Sequence, residues 1–90
     1  MRRLQQTKQF FKEVKRAKKR GKDLEKLKSV VSKLARDIEL HEKYQDHALI
    51  GNWKGSRDCH IEPDWLLIYT KKENVLLLER TGTHSDLFDK

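Results

Sequence analysis

Apolar residues in the first half of the chain recur at the spacing of amphipathic helices. One stripe follows i, i+4 and i+7 spacing: Phe10, Val14 and Ala17. Thr7 precedes this stripe and is a residue type that caps helix N-termini, whereas Gly21 follows it where helices end on a left-handed residue. The pattern predicts a first helix from Thr7 to about Arg20, preceded by an edge strand within residues 1–6.

A second helical pattern begins after Asp23, which is also a capping residue type. Its apolar positions keep helical spacing: Leu24, Leu27, Val30, Val31, Leu34 and Ile38. The two stripes together predict a helical hairpin with an apolar inner face and a basic outer face.

The second half of the chain changes from helical spacing to the alternation of strands. Residues 39–52 form a polar connector, and positions 53–61 then alternate between apolar and polar side chains. One face of this segment carries Trp53, Cys59 and Ile61. The other face carries Lys54, Ser56, Asp58 and His60. We therefore expect Trp53 and Cys59 in the core.

Two further apolar segments follow a turn at residues 62–64. They predict buried strands over 65–69 and 75–78, joined by a loop over 70–74. The three strands form an antiparallel meander with both helices packed on one of its faces. The chain is therefore expected to be a single α+β domain over residues 1–90.

The register of these strands predicts which polar side chains meet. If the turn at 62–64 is centred on Pro63, His60 lies opposite Leu66. If the loop over 70–74 is centred on Lys72, Asp64 lies opposite Arg80. His60, Asp64 and Arg80 are therefore expected at one end of the sheet. His84 lies four residues beyond Arg80, close enough to fold back onto this cluster.

This cluster has the side chains that cleavage of RNA by transesterification requires. A base removes the proton of the 2′-OH, an acid protonates the departing 5′-oxygen, and a cation stabilises the charged phosphorane. Histidine suits both proton transfers because it titrates near neutral pH, and the planar fork of arginine suits phosphate. The need for a 2′-OH makes RNA the substrate rather than DNA. Taken singly, each of these residues is more often structural.

The charge of the chain is concentrated in its first half. The 90 residues carry a net charge of +7; residues 1–45 contribute +9 and residues 46–90 contribute −2. Such a basic surface attracts a polyanion such as a nucleic acid. The predicted nucleic-acid-binding residues are Lys12, Lys15, Arg16, Lys18, Lys19, Arg20 and Lys22 on the helices, with Lys54 and Arg57 in the second half.

Size and composition exclude several classes of protein. At 10.8 kDa the chain is too small for a deep, self-contained cofactor cleft. The longest apolar run, 65–69, is far short of the about 20 residues of a membrane span, and residues 1–6 lack the apolar core of a signal peptide. A lone cysteine cannot form an internal disulfide, so we expect a cytoplasmic protein that does not bind membranes.

A metal site is not expected from the histidine spacing. The four histidines lack a close pair such as H-x-x-x-H, and the chain has one cysteine. No glycine-rich phosphate loop is present in the sequence either. The sequence therefore predicts neither a metal nor a cofactor.

Three motifs in the second half resemble the YafQ-like branch of the RelE/ParE superfamily, the toxins of bacterial type II toxin–antitoxin modules. D-H-x-L-x-G-x-W-K begins at Asp46, R-D-x-H-x-x-P-D-W begins at Arg57, and E-R-x-G-x-H-x-x-L-F begins at Glu79. The first half resembles the family only in its basic amphipathic helices. The family fold is a small sheet with two N-terminal helices, which agrees with the α+β prediction above.

The resemblance implies a ribosome-dependent mRNA endonuclease, or mRNA interferase. Members cut the message in the ribosomal A site without metal and leave a 2′,3′-cyclic phosphate. The resemblance also implies a cognate antitoxin protein as partner, and a toxin–antitoxin complex that binds operator DNA. On this interpretation the basic helices face ribosomal RNA.

The motifs also imply a catalytic set. Its members are His47, His60, Asp64, Arg80, His84 and Phe88. The roles implied are His84 as general acid, Asp64 or His47 as base, and Arg80 as the ligand of the scissile phosphate.

The other motif residues are implied to have supporting roles. His60 would assist proton transfer, and Phe88 would stack on a base. Asp58 and Trp65 fall within the second motif and would support the site.

Three other functions remain open from the residues. A ParE-type poison of DNA gyrase has the same fold but needs no acid–base residues. A non-catalytic basic module would bind nucleic acid through residues 12–22 alone. A metal-dependent nuclease would lose its activity to a chelator.

Overall fold

The computed structural model describes residues 1–88, in which one five-stranded sheet is combined with three helices. The strands are β1 (Arg3–Gln6), β2 (His47–Ala48), β3 (Arg57–Glu62), β4 (Trp65–Lys71) and β5 (Val75–Gly82). The helices are α1 (Lys8–Lys19), α2 (Leu24–Ala35) and α3 (His84–Phe88). The strand order is β1-β5-β4-β3-β2, with β1 parallel to β5 and the other pairs antiparallel. The predicted α+β class is confirmed.

Local signals position α1 as the sequence predicts. The hydroxyl oxygen of Thr7 accepts a hydrogen bond from the Phe10 N–H at 2.9 Å, which caps the helix. The same hydroxyl donates to the Glu79 carbonyl at 2.8 Å and so attaches the start of α1 to β5. Gly21 has a φ of +82°, the left-handed conformation expected after a helix end.

The sheet separates two apolar clusters. The larger cluster lies between the sheet and the pair α1 and α2, and it includes Phe10, Leu34, Cys59, Leu67 and Leu76. The smaller cluster lies on the other face, where Leu66, Ile68 and Leu87 are buried with Leu49, Trp53 and Phe88 packed against them. Since β4 alternates between the two clusters, its burial on both faces follows, as the sequence predicts.

One hairpin register is confirmed and the other is wrong. His60 lies opposite Leu66 as predicted. Arg80, however, lies opposite Ile68 and not opposite Asp64. The turn between β4 and β5 is centred later than predicted, and an irregularity between positions 68 and 69 shifts the register again.

The segment 39–52 is more than the predicted connector. His47 and Ala48 form β2, which pairs His47 with Asp58 of β3. Two short 3₁₀ turns, Glu42–Tyr44 and Gly51–Trp53, flank this strand. A two-residue strand carries too few side chains to reveal itself by alternation.

Two apolar residues lie elsewhere than predicted. Ile38 falls beyond the end of α2 and is exposed, because Asp37 has a φ of +57° and the chain leaves the helix there. Trp53 packs with Leu66 and Ile68, on the face away from Cys59, because it lies in a 3₁₀ turn rather than a strand.

Candidate active site

Alternation along β3 places Asp58 and His60 on the face away from the two long helices. Cys59 between them is fully buried in the larger cluster, so its neighbours face the opposite side. His47 is brought beside Asp58 by the pairing of β2 with β3. His84 is the first residue of α3, immediately after β5.

Asp64 and His84 are joined by two hydrogen bonds. One carboxylate oxygen of Asp64 accepts hydrogen bonds from His84 Nδ1 at 2.6 Å and from the His84 backbone N–H at 2.9 Å. These bonds, the backbone one first, hold the pKa of Asp64 below its usual value. Both side chains are open to solvent, 64% for Asp64 and 44% for His84. A ligand in solution can therefore reach the pair.

His60 connects this pair to the interior of the site. Its ring meets the His84 ring edge to face, with 5.3 Å between centroids and an interplanar angle of 81°. On its other side, His60 Nε2 lies 4.0 Å from Asp58 Oδ1. Three histidine and carboxylate side chains of the predicted cluster, His60, Asp64 and His84, thus lie together as expected.

Asp58 occupies the centre of the histidine cluster. Its side chain is buried, Oδ2 lies 3.7 Å from His47 Nε2, and Oδ1 has no hydrogen-bond partner within the described residues. Burial raises the pKa of Asp58, an effect that the neighbouring histidines partly offset. The sequence assigned Asp58 only a supporting role, although its position two residues before His60 is the signal that places both on one face.

An Asp58→Asn variant is expected to be more stable than the wild-type protein at neutral pH. Folding raises the pKa of the Asp58 carboxyl. Such a group lowers the stability of the folded protein once the pH exceeds the pKa that the carboxyl has in the unfolded chain, which is about 4. The gain should therefore vanish as the pH falls to about 4. Thermal unfolding at pH 4 and pH 7.5 measures it, and equal melting temperatures at pH 7.5 would contradict the burial argument.

Arg80 is bound to Glu13 of α1 and, among the described residues, makes no hydrogen bond with the histidines. Arg80 donates to the two Glu13 oxygens from Nε at 2.9 and 3.0 Å and from Nη2 at 2.7 Å. Glu13 is 2% exposed and also accepts from the Thr81 N–H at 3.2 Å. Sequence analysis missed Glu13, since its partners are 67 and 68 residues away.

The two aromatic residues of the predicted site differ in accessibility. Phe88 is half-buried against the smaller cluster, with Leu66 and Ile68 beneath it. Trp65 is fully buried, and its indole N–H donates to the Thr81 hydroxyl at 3.0 Å. Trp65 therefore packs inside the core, whereas Phe88 remains partly accessible to solvent.

The predicted nucleic-acid-binding residues divide into exposed and engaged side chains. Exposed lysines are Lys12, Lys15, Lys18, Lys19 and Lys54. The engaged cations and their acidic partners are Arg16 and Arg20 with Asp86, Lys22 with Glu62, and Arg57 with Asp46. The five lysines are thus the members of the set best placed to contact an external phosphate.

A groove of about 640 Å³ opens beside His60. It lies between α2 and the turn that contains Tyr44, and Lys26 and Lys43 also line it. Lys43 Nζ lies 5.2 Å from the centre of the Tyr44 ring. The groove therefore combines an aromatic surface with cations beside His60.

The chain matches known toxins over almost its whole length. A family model described as the bacterial toxin of type II toxin–antitoxin system, YafQ, matches residues 2–89. The mRNA interferase toxin YafQ of Escherichia coli strain K12 is 51% identical over 81 residues, which is 89% of this chain and 88% of that protein.

Solved structures give the same result. The crystal structure of the E. coli DinJ–YafQ complex contains a chain that is 47% identical, with a TM-score of 0.90 over 98% of this chain and 99% of that one. A metal-bound toxin from Helicobacter pylori is 46% identical, with a TM-score of 0.92 over 98% and 100% of the two chains.

The metal in that relative raises the question of whether this chain holds one. Within residues 1–88, no group of three or more His, Cys, Asp or Glu side chains is arranged to hold a metal ion. Among the same residues, no helix is long and apolar enough to cross a membrane.

Proposed function

This chain belongs to the YafQ family of type II toxin–antitoxin toxins, and we propose that it is an mRNA interferase that cuts ribosome-bound message by metal-independent acid–base transesterification. The observation that carries the chemistry is the solvent-exposed Asp64–His84 hydrogen bond with His60 against the His84 ring. The proposed catalytic set remains His47, His60, Asp64, Arg80, His84 and Phe88.

His84 is the proposed general acid. Its Nδ1 is taken by Asp64, so the proton for the departing 5′-oxygen comes from Nε2. The Asp64 carboxylate fixes the ring and balances the charge of the protonated imidazole. His60 limits rotation of the same ring through its edge-to-face contact.

His47 is the better candidate for the base. The lowered pKa of Asp64 makes that carboxylate a weaker proton acceptor. His47 Nδ1 lies 2.6 Å from the Gln45 carbonyl, which can only accept a hydrogen bond, so the neutral ring keeps its lone pair on Nε2. Asp58 lies 3.7 Å from this Nε2 and would stabilise the ring after it takes the 2′-OH proton.

Arg80 is the proposed ligand of the scissile phosphate. Its Nε and Nη2 are held by Glu13, which leaves the Nη1 end of the guanidinium for phosphate oxygens. Phe88, which is half-buried, is the proposed stacking surface for a base.

The partners follow from the family and from the charge. The DinJ–YafQ complex supports a cognate antitoxin as the partner that neutralises this toxin, and we propose that the toxin–antitoxin pair binds operator DNA. The exposed lysines of α1 would contact ribosomal RNA when the toxin occupies the A site. We propose the cytoplasm as the site of action and residues 1–90 as a single toxin domain.

The experiment that tests this function compares message in a translating extract with the same RNA free of ribosomes. We expect cuts at defined codons only during translation, and no loss of cutting with a chelator selective for transition metals that spares ribosomal Mg²⁺. Equal cutting of free RNA would refute ribosome dependence, and inhibition by the chelator would favour a metal-dependent nuclease. Growth arrest without any RNA cuts would favour a gyrase poison.

A further inference from the structure

Asp86 closes the first turn of α3, the helix that begins with His84. The Thr83 N–H donates to Asp86 Oδ2 at 2.9 Å, and the Asp86 N–H donates to the Thr83 hydroxyl at 3.0 Å. This reciprocal pair is a capping box, in which two side chains satisfy each other's free backbone donors. Two hydrogen bonds between Thr83 and Asp86 thus close the turn that carries His84.

The carboxylate of Asp86 is also bound by residues at the C-terminal end of α1, namely Arg16 and the capping residue Arg20. Arg20 donates from Nη1 to Oδ2 at 2.7 Å and from Nη2 to Oδ1 at 3.4 Å, and Arg16 Nη2 lies 3.5 Å from Oδ2. The Arg20 hydrogen bond is the main reason why the pKa of Asp86 lies far below its usual value. α3 is therefore anchored to α1 as well as to β5.

Gly82 makes this arrangement possible. A Cβ on Gly82 would lie 2.9 Å from both the Cβ and Oδ2 of Asp86, closer than carbon atoms can approach. The missing side chain lets Asp86 lie directly against the end of β5. A side chain at position 82 would therefore displace Asp86 from this position.

His84 lies between the two members of the capping box. Both its ring Nδ1 and its backbone N–H bind the same oxygen of Asp64, so the orientation of this turn determines the geometry of the acid. We propose that Asp86, clamped by Arg20, is a positioning residue that holds His84 on Asp64. This inference rests on the function proposed above, in which His84 is the general acid.

The Asp86 side chain is 15% exposed and its oxygens are held by Thr83 and Arg20, so its loss should change turnover rather than substrate binding. An Asp86→Ala variant is expected to lower kcat by about 10- to 100-fold with KM unchanged, since a displacement of about 1 Å can cost that much. Asp86→Asn keeps the capping acceptor but loses the charge for Arg20, and should lie between wild type and Asp86→Ala. Asp86→Glu keeps the negative charge that Arg20 binds and should retain most of the wild-type activity.

Arg20 gives a second test, because it also belongs to the predicted nucleic-acid-binding set. As a clamp on Asp86, an Arg20→Gln variant should lower kcat. As a phosphate contact, the same variant should raise KM and leave kcat unchanged. A pure KM effect would overturn the role of Arg20 in positioning.

A spectroscopic measurement tests the placement of His84 independently of activity. The ¹⁵N chemical shift of His84 Nδ1 reports on its bond to Asp64. We expect Asp86→Ala to move it toward the value in Asp64→Asn, and Ser85→Ala, an exposed residue of the same turn, to leave it unchanged. An unchanged shift in Asp86→Ala would overturn the proposal. A wild-type cutting rate in His84→Ala would refute the proposed role of His84 as general acid. The ¹⁵N shift of His84 Nδ1 in Asp86→Ala would still test whether Asp86 positions His84.

Discussion

Replacing His84 with alanine is expected to lower message cleavage by about 100- to 10,000-fold, the range for loss of a positioned general acid. The variant should fold normally because the His84 side chain is 44% exposed. Asp64, which binds His84, is also exposed and can be solvated by water when the imidazole is removed. The measurement is the rate of codon-specific cutting in a translating extract, beside circular dichroism of both proteins.

A matched control for that result is His41→Ala. His41 is exposed, and its ring accepts a hydrogen bond from the Lys43 N–H in the turn before β2. It contributes no side chain to the cluster, so its variant should cut at the wild-type rate. If His84→Ala were as active as His41→Ala, the general acid would be another group.

Replacing Glu13 with alanine is expected to lower the free energy of unfolding by about 3–5 kcal/mol, the range for removing one partner of a buried ion pair. Glu13 is buried, and its removal leaves the Arg80 guanidinium and the Thr81 N–H without their acceptor. At about 4–8 °C of melting temperature per kcal/mol, such a loss unfolds much of a small domain near 37 °C. Urea unfolding followed by circular dichroism measures it.

Two variants separate this effect from the removal of any helical glutamate. Glu25 is exposed on α2 and pairs with Lys28 at 3.4 Å, so Glu25→Ala should change stability by less than about 1 kcal/mol. Glu13→Gln keeps an acceptor for Arg80 and should fall between the two. A Glu13→Ala protein as stable as Glu25→Ala would mean that the Arg80 pair contributes nothing to folding.

The helical half was predictable because its signals are local. Thr7 and Gly21 lie within a few residues of the helix ends that they determine, and the apolar stripe of α1 fixes which face is buried. The prediction that Ile38 continues the apolar stripe of α2 was wrong because the helix ends before it. The chain turns at Asp37 through a left-handed conformation that apolar spacing does not encode.

The site was only partly predictable because its geometry depends on pairings between distant segments. The centre of one short turn sufficed to place His60 opposite Leu66. Arg80 was misplaced because a later turn and one irregularity in β4 and β5 moved the register. Glu13 and Arg80 are 67 residues apart in the chain, so no local sequence pattern predicts their pairing.

The motif resemblance contributed what the register could not. It included His47, which the pattern left in a connector and which β2 brings beside Asp58. The burial of Asp58 was not predicted, because the alternation places it on the polar face of its strand with Lys54 and Ser56. Its burial, with Oδ1 unpartnered within the described residues, became visible only in three dimensions.

The chemical ends of the cut message test the central claim most directly. Transesterification by His84 and a base leaves a 2′,3′-cyclic phosphate on the upstream fragment and a 5′-hydroxyl on the downstream one. We expect these ends at the toxin-dependent cuts in a translating extract, and their loss with His84→Ala. A 3′-hydroxyl and a 5′-phosphate would show that water attacks the phosphorus directly, which would contradict the proposed mechanism.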